Sequence, residues 1–205
     1  MQRPIQPSTA PPILTFYRGG LNLGLFQPGP PVYPQGSEVF GNQSGGDPTT
    51  YRTQALGPGE KLFGWLLILS GNDSKIVFRG QNEPINNQVY SDYDGLYNKN
   101  ELKSVGKKIT NSYKNGNYKD WYVPSRDELA FISKNLPKNF TLDFRFASFQ
   151  SKRYISSTYV KNQPGKETFL YAQSFNEPTY GVTSFVSDEA SMFVRYVRRV
   201  PVYII

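Results

Sequence analysis

The chain has 205 residues, enough for one domain with an extension or for two small ones. It contains no cysteine and no histidine, which excludes disulfide staples, thiolate zinc sites, cysteine nucleophiles, Ser-His-Asp triads and imidazole acid–base work. The formal charge is +7, from 23 basic and 16 acidic residues, and an aromatic share of 15% suits a compact β-rich core. With those residue types missing, the expectation is a non-enzymatic protein with no cofactor.

Residues 1–60 hold ten of the sixteen prolines, among them Pro28, Pro30, Pro31 and Pro34, and glycines punctuate them throughout. Such a segment cannot sustain a helix and is predicted to be an extended arm, set apart from a globular domain over residues 61–205. It still carries apolar anchors: Ile13-Leu14-Thr15-Phe16-Tyr17, Leu21-Asn22-Leu23-Gly24-Leu25-Phe26 and Val39-Phe40. Anchors on an arm predict ordering on contact, so Ile13, Leu14, Phe16, Tyr17, Leu23, Leu25 and Phe26 are expected assembly contacts with a neighbouring subunit. Folding back on the arm's own domain is the alternative. Met1-Gln2-Arg3-Pro4-Ile5 has no signal-peptide apolar stretch, and Trp65-Leu66-Leu67-Ile68-Leu69 is too short to span a bilayer. A soluble product made in the cytoplasm is expected.

From residue 61 the pattern is globular. Residues 61–70 and 75–79 read as strands around a Gly71-Asn72-Asp73 turn, a hairpin signal. Residues 81–97 read as irregular. Asn98 is predicted to open a helix with Glu101 at its third position, with Leu102, Val105, Ile109 and Tyr113 inward and an end near Asn115-Gly116. Around it Lys99, Lys103, Lys107, Lys108, Lys114 and Lys119 face a single acid, Glu101. A solvated helix face accounts for them, and an anionic partner is the sharper reading. No helix-turn-helix, RRM or zinc-finger pattern points to sequence-specific nucleic-acid binding.

The decad Asp120-Trp121-Tyr122-Val123-Pro124-Ser125-Arg126-Asp127-Glu128-Leu129 follows. Ser125 and Glu128 form a capping box, Pro124 holds Val123 extended, and Leu129, Ile132 and Leu136 share one helical face up to Pro137. Residues 154–160, 168–175, 182–186 and 192–200 then read as short antiparallel strands. Pro201-Val202-Tyr203-Ile204-Ile205 reads as an edge strand or an intersubunit contact. The order predicts α+β with two helices and a twisted antiparallel sheet.

Four strings in this order resemble the Lcl-type domain family, named for the C-terminal domain of a collagen-like bacterial adhesin and also met in phage structural proteins. They are the decad, Tyr154-Ile155-Ser156-Ser157-Thr158, Val194-Arg195-Tyr196-Val197-Arg198, and Asp92-Tyr93-Asp94-Gly95 with Asn98. The resemblance covers roughly residues 61–200. It implies a variant of the C-type-lectin-like domain whose members mostly bind rather than catalyse.

Candidate site residues divide by chemistry. Trp121 is expected in the core. Ser156, Ser157 and Thr158 lack a base or a nucleophile elbow, so their hydroxyls are expected to bond neighbouring backbone in a β-turn. Arg195 and Arg198 are expected to form structural ion pairs, one of them with Asp127 or Glu128. Glu83-Pro84-Ile85 and Glu177-Pro178-Thr179 lack the third oxygen ligand of calcium lectins, and Asn86, Asn87, Asp92 and Asp94 are the remaining oxygen donors; no metal is expected. The leading expectation is a phage virion structural protein that docks on other virion proteins through residues 1–60, in capsid decoration, head or tail fibre attachment, or the tail tip. Such a protein would display a lectin-like module, with a host-surface glycan as a possible ligand. The alternative is a bacterial glycan- or glycosaminoglycan-binding adhesin domain.

Overall fold

Alternation along the apolar runs decides which faces meet. The computed structural model describes residues 10–26, 61–78, 92, 94–104, 113, 117–136, 149, 153–160, 169–175, 181 and 183–204. Strand β1 is Phe16–Tyr17, β2 is Gly20–Phe26 and β3 is Lys61–Leu69. Strand β4 is Ser74–Ile76, helix α1 is Gly95–Ser104 and helix α2 is Arg126–Asn135. Then come β5 (Arg153–Tyr159), β6 (Phe169–Ser174), β7 (Thr183–Ser187), β8 (Met192–Val194) and β9 (Val197–Ile204). The architecture is α+β, mostly sheet, with two helices among the described residues.

Among the described residues there are two sheets rather than one. The four-stranded sheet has the order β1-β2-β3-β9 and is antiparallel throughout. The five-stranded sheet has the order β4-β8-β5-β6-β7 and is antiparallel except for the parallel β5–β8 pair, which meets at Tyr154 and Phe193. Strand β3 is interior and covered on both faces, which explains its unbroken run from Trp65 to Leu69. Leu66 and Ile68, with Val200 and Val202 of β9, pack with Trp121, Val123, Ile155 and Leu170. Leu67 and Leu69, with Val197, Leu21 and Leu23, face Leu129, Ile132 and Leu136 from α2 and its C-cap. Side chains of period two on the strands meet a helical stripe of period 3.6, and each apolar face finds a partner.

Expectations in three groups are corrected. The run around Gly71-Asn72-Asp73 is not a hairpin, because β3 and β4 lie in different sheets. Long-range bonds outcompete the local turn: Ser70 N donates to the Tyr196 carbonyl at 2.8 Å, and Tyr196 N donates to Ser70 Oγ at 3.0 Å. Asp73 takes Arg195 Nε at 2.6 Å and the Tyr154 hydroxyl at 2.6 Å. The run expected over 192–200 is likewise split at Arg195-Tyr196, so both chain segments cross between the sheets side by side. Pro201 to Ile204 of the final apolar segment belong to β9, the last strand of its sheet among the described residues.

The second correction concerns the N-terminal segment. Residues 10–26 are not an arm apart from the domain; they form the first two strands of the four-stranded sheet, which follows the alternative reading. Arg18 and Gly19, with φ of 47° and 88°, make the tight two-residue turn that lets β2 lie back along β1 and present Leu21, Leu23 and Phe26 to the core. The remainder of the expected arm, residues 1–9 and 27–60 with Val39-Phe40, lies outside the described residues.

Third, α1 opens at Gly95, not after Asn98. Asp94 Oδ1 accepts from Tyr97 N at 2.8 Å and its carbonyl accepts from Asn98 N at 3.1 Å, so Asp94 occupies the N-cap. The expected inward residues Val105 and Ile109, the end at Asn115-Gly116 and Pro137 lie outside the described residues, as does the side chain of Leu102. Helix α2 follows its sequence signature: Ser125 Oγ accepts from Glu128 N at 3.3 Å, and Glu128 Oε2 accepts from Ser125 N at 2.8 Å. Leu129, Ile132 and Leu136 are buried.

Candidate functional site

The capping-box glutamate does more than cap. Glu128 sits fully buried at the meeting point of α1, α2 and β9. Its Oε1 accepts from the Tyr122 hydroxyl at 2.7 Å and from Arg199 Nη2 at 2.7 Å and Nε at 2.9 Å. Its Oε2 accepts from Gly95 N at 3.2 Å besides Ser125 N. Arg199 Nη1 reaches Asp94 Oδ1 at 3.0 Å. Gly95 is required by this contact: a Cβ there would lie 2.5 Å from Glu128 Oε2 and 2.7 Å from both Ser125 N and the Val123 carbonyl. One carboxylate thus ties the first turns of two helices to an edge strand.

Burial and charge set the protonation of the cluster. Desolvation raises the Asp94 carboxyl above its ordinary value; Arg199 opposes this and the nearby Glu128 carboxylate reinforces it. Burial likewise pushes the Tyr122 hydroxyl well up, again opposed by Arg199 and reinforced by Glu128 and Asp94, so Tyr122 is a neutral donor. For Arg199 burial acts to lower the pKa, but the Asp94 and Glu128 carboxylates outweigh it and hold the guanidinium charged well above its usual range.

Two further arginines are used in the same structural way. Arg198 Nε and Nη2 bond Asp120 bidentately at 2.9 and 2.7 Å, its guanidinium lies 3.9 Å from the Tyr118 ring centre, and its Nη1 donates to the Arg18 carbonyl at 2.9 Å. Arg195 pairs with Asp73 and lies over the Phe149 ring at 4.2 Å. Ion pairs at Arg195 and Arg198 were expected; a partner in Asp127 or Glu128 was not what they find. Adjacent residues of a strand point to opposite faces, so Arg199, on the face of Val197, reaches Glu128, while Arg198 turns toward Trp121. Asp127 instead pairs with Arg126 at 2.9 Å, and Arg126 also reaches Asp92 at 3.2 Å on the half-exposed surface.

The hydroxyl string is internal as well. Ser156, Ser157 and Thr158 are buried in the irregular middle of β5, where the pairing with β6 shifts register between Ile155 and Tyr159, rather than in a β-turn. Ser157 N and Oγ donate to the Pro124 carbonyl at 2.7 and 3.2 Å, Thr158 Oγ1 accepts from Arg126 N at 3.1 Å, and Asn98 Nδ2 donates to Ser157 Oγ at 3.1 Å. Trp121 is 1% exposed and belongs to the core. Sequence reasoning missed Arg199, Tyr122 and the pairing of Asp94; the Arg198-Arg199 doublet on a strand was the available signal, since it sends one guanidinium to each face.

Among the described residues, no group of three or more acidic side chains is placed to hold a metal ion, and no helix is long and apolar enough to cross a membrane. The Glu83 and Glu177 tripeptides, Asn86 and Asn87 lie outside the described residues, as do Lys107, Lys108 and Lys114.

The outward-facing feature is apolar. A cleft of about 220 Å³ is lined by Ala10, Pro11, Ile13, Gly24, Leu25, Leu66 and Val202. Asn22, fully buried behind the cleft, ties two of its lining residues together: its Nδ2 donates to the Pro11 and Pro12 carbonyls at 2.9 and 3.1 Å, and its Oδ1 accepts from Gly24 N at 3.0 Å. Gly24, with φ of 97°, sits where the pairing of β2 with β3 shifts register, and that bulge opens the cleft. Ile13 and Leu25 at the cleft and Phe16 on β1 are 59%, 37% and 42% exposed. Of the expected assembly residues, Leu23 and Phe26 are core, Leu14 and Tyr17 are half-buried, and Ile13, Phe16 and Leu25 are exposed. No protein-family model, curated protein or solved structure matches the chain.

Proposed function

We propose that the chain is a non-enzymatic phage virion structural protein, a C-type-lectin-like binding module that docks on other virion proteins through the exposed face of its N-terminal strands. The observation that carries the docking role is the cleft rimmed by Ile13 and Leu25, with Phe16 exposed on the neighbouring strand. Exposed apolar groups of this size, set beside a concave apolar floor, suit a protein partner. The virion assignment is supported by the resemblance of the Asp120-to-Leu129 decad and its companion strings. Their burial supports a scaffolding role for them, because Glu128, Ser156, Ser157, Arg195 and Arg198 all spend their polar groups inside the domain.

Mass spectrometry of purified particles, with Ile13→Asp/Leu25→Asp as the comparison, tests the reading. The wild-type chain is expected at fixed stoichiometry in particles, and the double variant is expected to melt as the wild type does while failing to incorporate. Absence of the wild-type chain from particles would overturn the virion role; equal incorporation of a folded double variant would overturn the docking face. The glycan-binding adhesin is the second reading, favoured by the net charge of +7. It predicts retention on a glycosaminoglycan column that salt removes.

A further inference from the structure

One side of the apolar cleft is made by residues that belong to no strand. Ala10, Pro11 and Ile13 stand there opposite Gly24 and Leu25 of β2, Leu66 of β3 and Val202 of β9. Proline has no N–H, so hydrogen bonds can fasten Pro11 and Pro12 only through their carbonyls. Both carbonyls accept from one group, the Asn22 side-chain nitrogen, at 2.9 and 3.1 Å. Thr15 Oγ1 adds a bond to the Pro12 carbonyl at 2.6 Å from within the same segment. The oxygen of the Asn22 amide faces the other way and accepts from Gly24 N at 3.0 Å. Its main chain extends the grip, accepting from Leu14 N at 2.7 Å and donating to the Thr15 carbonyl at 2.9 Å. Burying an amide between Leu21 and Leu23 is costly unless its polar atoms are bonded, and here they are divided between the two sides of the cleft. Ile13 is thereby seated over Gly24, where a Cβ would lie 3.3 Å from Ile13 Cδ1.

We propose that Asn22 is a positioning residue of the docking face. It does not line the cleft, but it fixes the distance of Ala10, Pro11 and Ile13 from the bulge at Gly24 and Leu25. That distance sets the size of the apolar side chain that a protein partner can insert. The proposal rests on the docking role argued above and assigns the residue that shapes its site. Aspartate at position 22 separates the two halves of the grip. It is nearly isosteric with asparagine and keeps an acceptor for Gly24 N, but it replaces the two N–H donors with an oxygen that repels the Pro11 and Pro12 carbonyls. The bulge is kept and the proline side is released.

The test measures amide hydrogen exchange by NMR and particle incorporation for wild type, Asn22→Asp and Ile13→Asp/Leu25→Asp. In Asn22→Asp the Leu14 N–H is expected to exchange faster than in the wild type, while Gly24 N–H and the amides of β3 stay protected and incorporation is lost. A merely structural asparagine would loosen the β3 amides together with Leu14, or leave the incorporation of folded protein unchanged; either result overturns the positioning role. The wild type gives a reading that does not depend on whether Asn22→Asp folds. Its Asn22 side-chain N–H protons are expected to exchange more slowly than those of an asparagine in an unfolded chain, and exchange at the unfolded rate overturns the grip. The docking face fails separately. Incorporation of Ile13→Asp/Leu25→Asp at the wild-type level overturns the face and this role with it, whereas loss in that variant but not in Asn22→Asp overturns the role of Asn22 and leaves the face standing.

Discussion

The two helices begin by different rules. Helix α2 is opened by residues three apart, Ser125 and Glu128, so its start is written in a four-residue window. Helix α1 is opened by Asp94, and Gly95 N is satisfied by Glu128, 33 positions away. A local cap announces itself in any sequence; a borrowed one does not. Asn98, the residue that looks most like a cap for α1, is instead inside the helix with its amide on Ser157. The comparison teaches that one glutamate serves as a local cap for one helix and a distant anchor for the other.

Arg199→Met should damage both helix starts at once. It leaves Glu128 and Asp94 buried without their cation, and removal of one partner from such a pair costs about 3–5 kcal/mol. Chemical denaturation measures this directly, and a loss under about 1 kcal/mol would mean that the cluster contributes little net stability. Gly95→Ala separates the helices. The added methyl meets Glu128 Oε2 and the backbone at Ser125 and Val123, so a loss of about 1–3 kcal/mol is expected from overpacking. A neutral result would show that α1 can shift without disturbing the cap of α2. Ser125→Ala is the smallest change. It removes one side-chain acceptor while leaving the glutamate in place, and a loss of roughly 1 kcal/mol in the same denaturant series is expected.

Legibility in the sequence follows the range of the deciding contact. The extent of α2, the burial of Trp121 and the strands at β5, β6 and β7 were all predictable, because periodicity and capping are local. The β3–β4 hairpin failed because Asp73, an apt turn residue, is claimed by Arg195 and Tyr154 from the other end of the chain. The arm failed over residues 10–26 because proline and glycine density hides a two-residue turn at Arg18-Gly19 and a bulge at Gly24, both of which build sheet rather than break it. Arg199 was overlooked because nothing within ten residues of it explains a buried guanidinium.

The central position of β3 has a consequence for the order of events at the ribosome. Its neighbours are β2, from residues 20–26, and β9, from residues 197–204, so its β2 edge can pair as soon as β3 has emerged, while its other edge waits until β9 has been made. Arg199 arrives on the same late strand. Until then the nascent chain carries the apolar segment from Trp65 to Leu69 with one edge open, a template for pairing with other nascent chains on the same message. Formation of this sheet is thus dominated by distant pairings, which makes it slow and places its greatest risk of aggregation before β9 has been made.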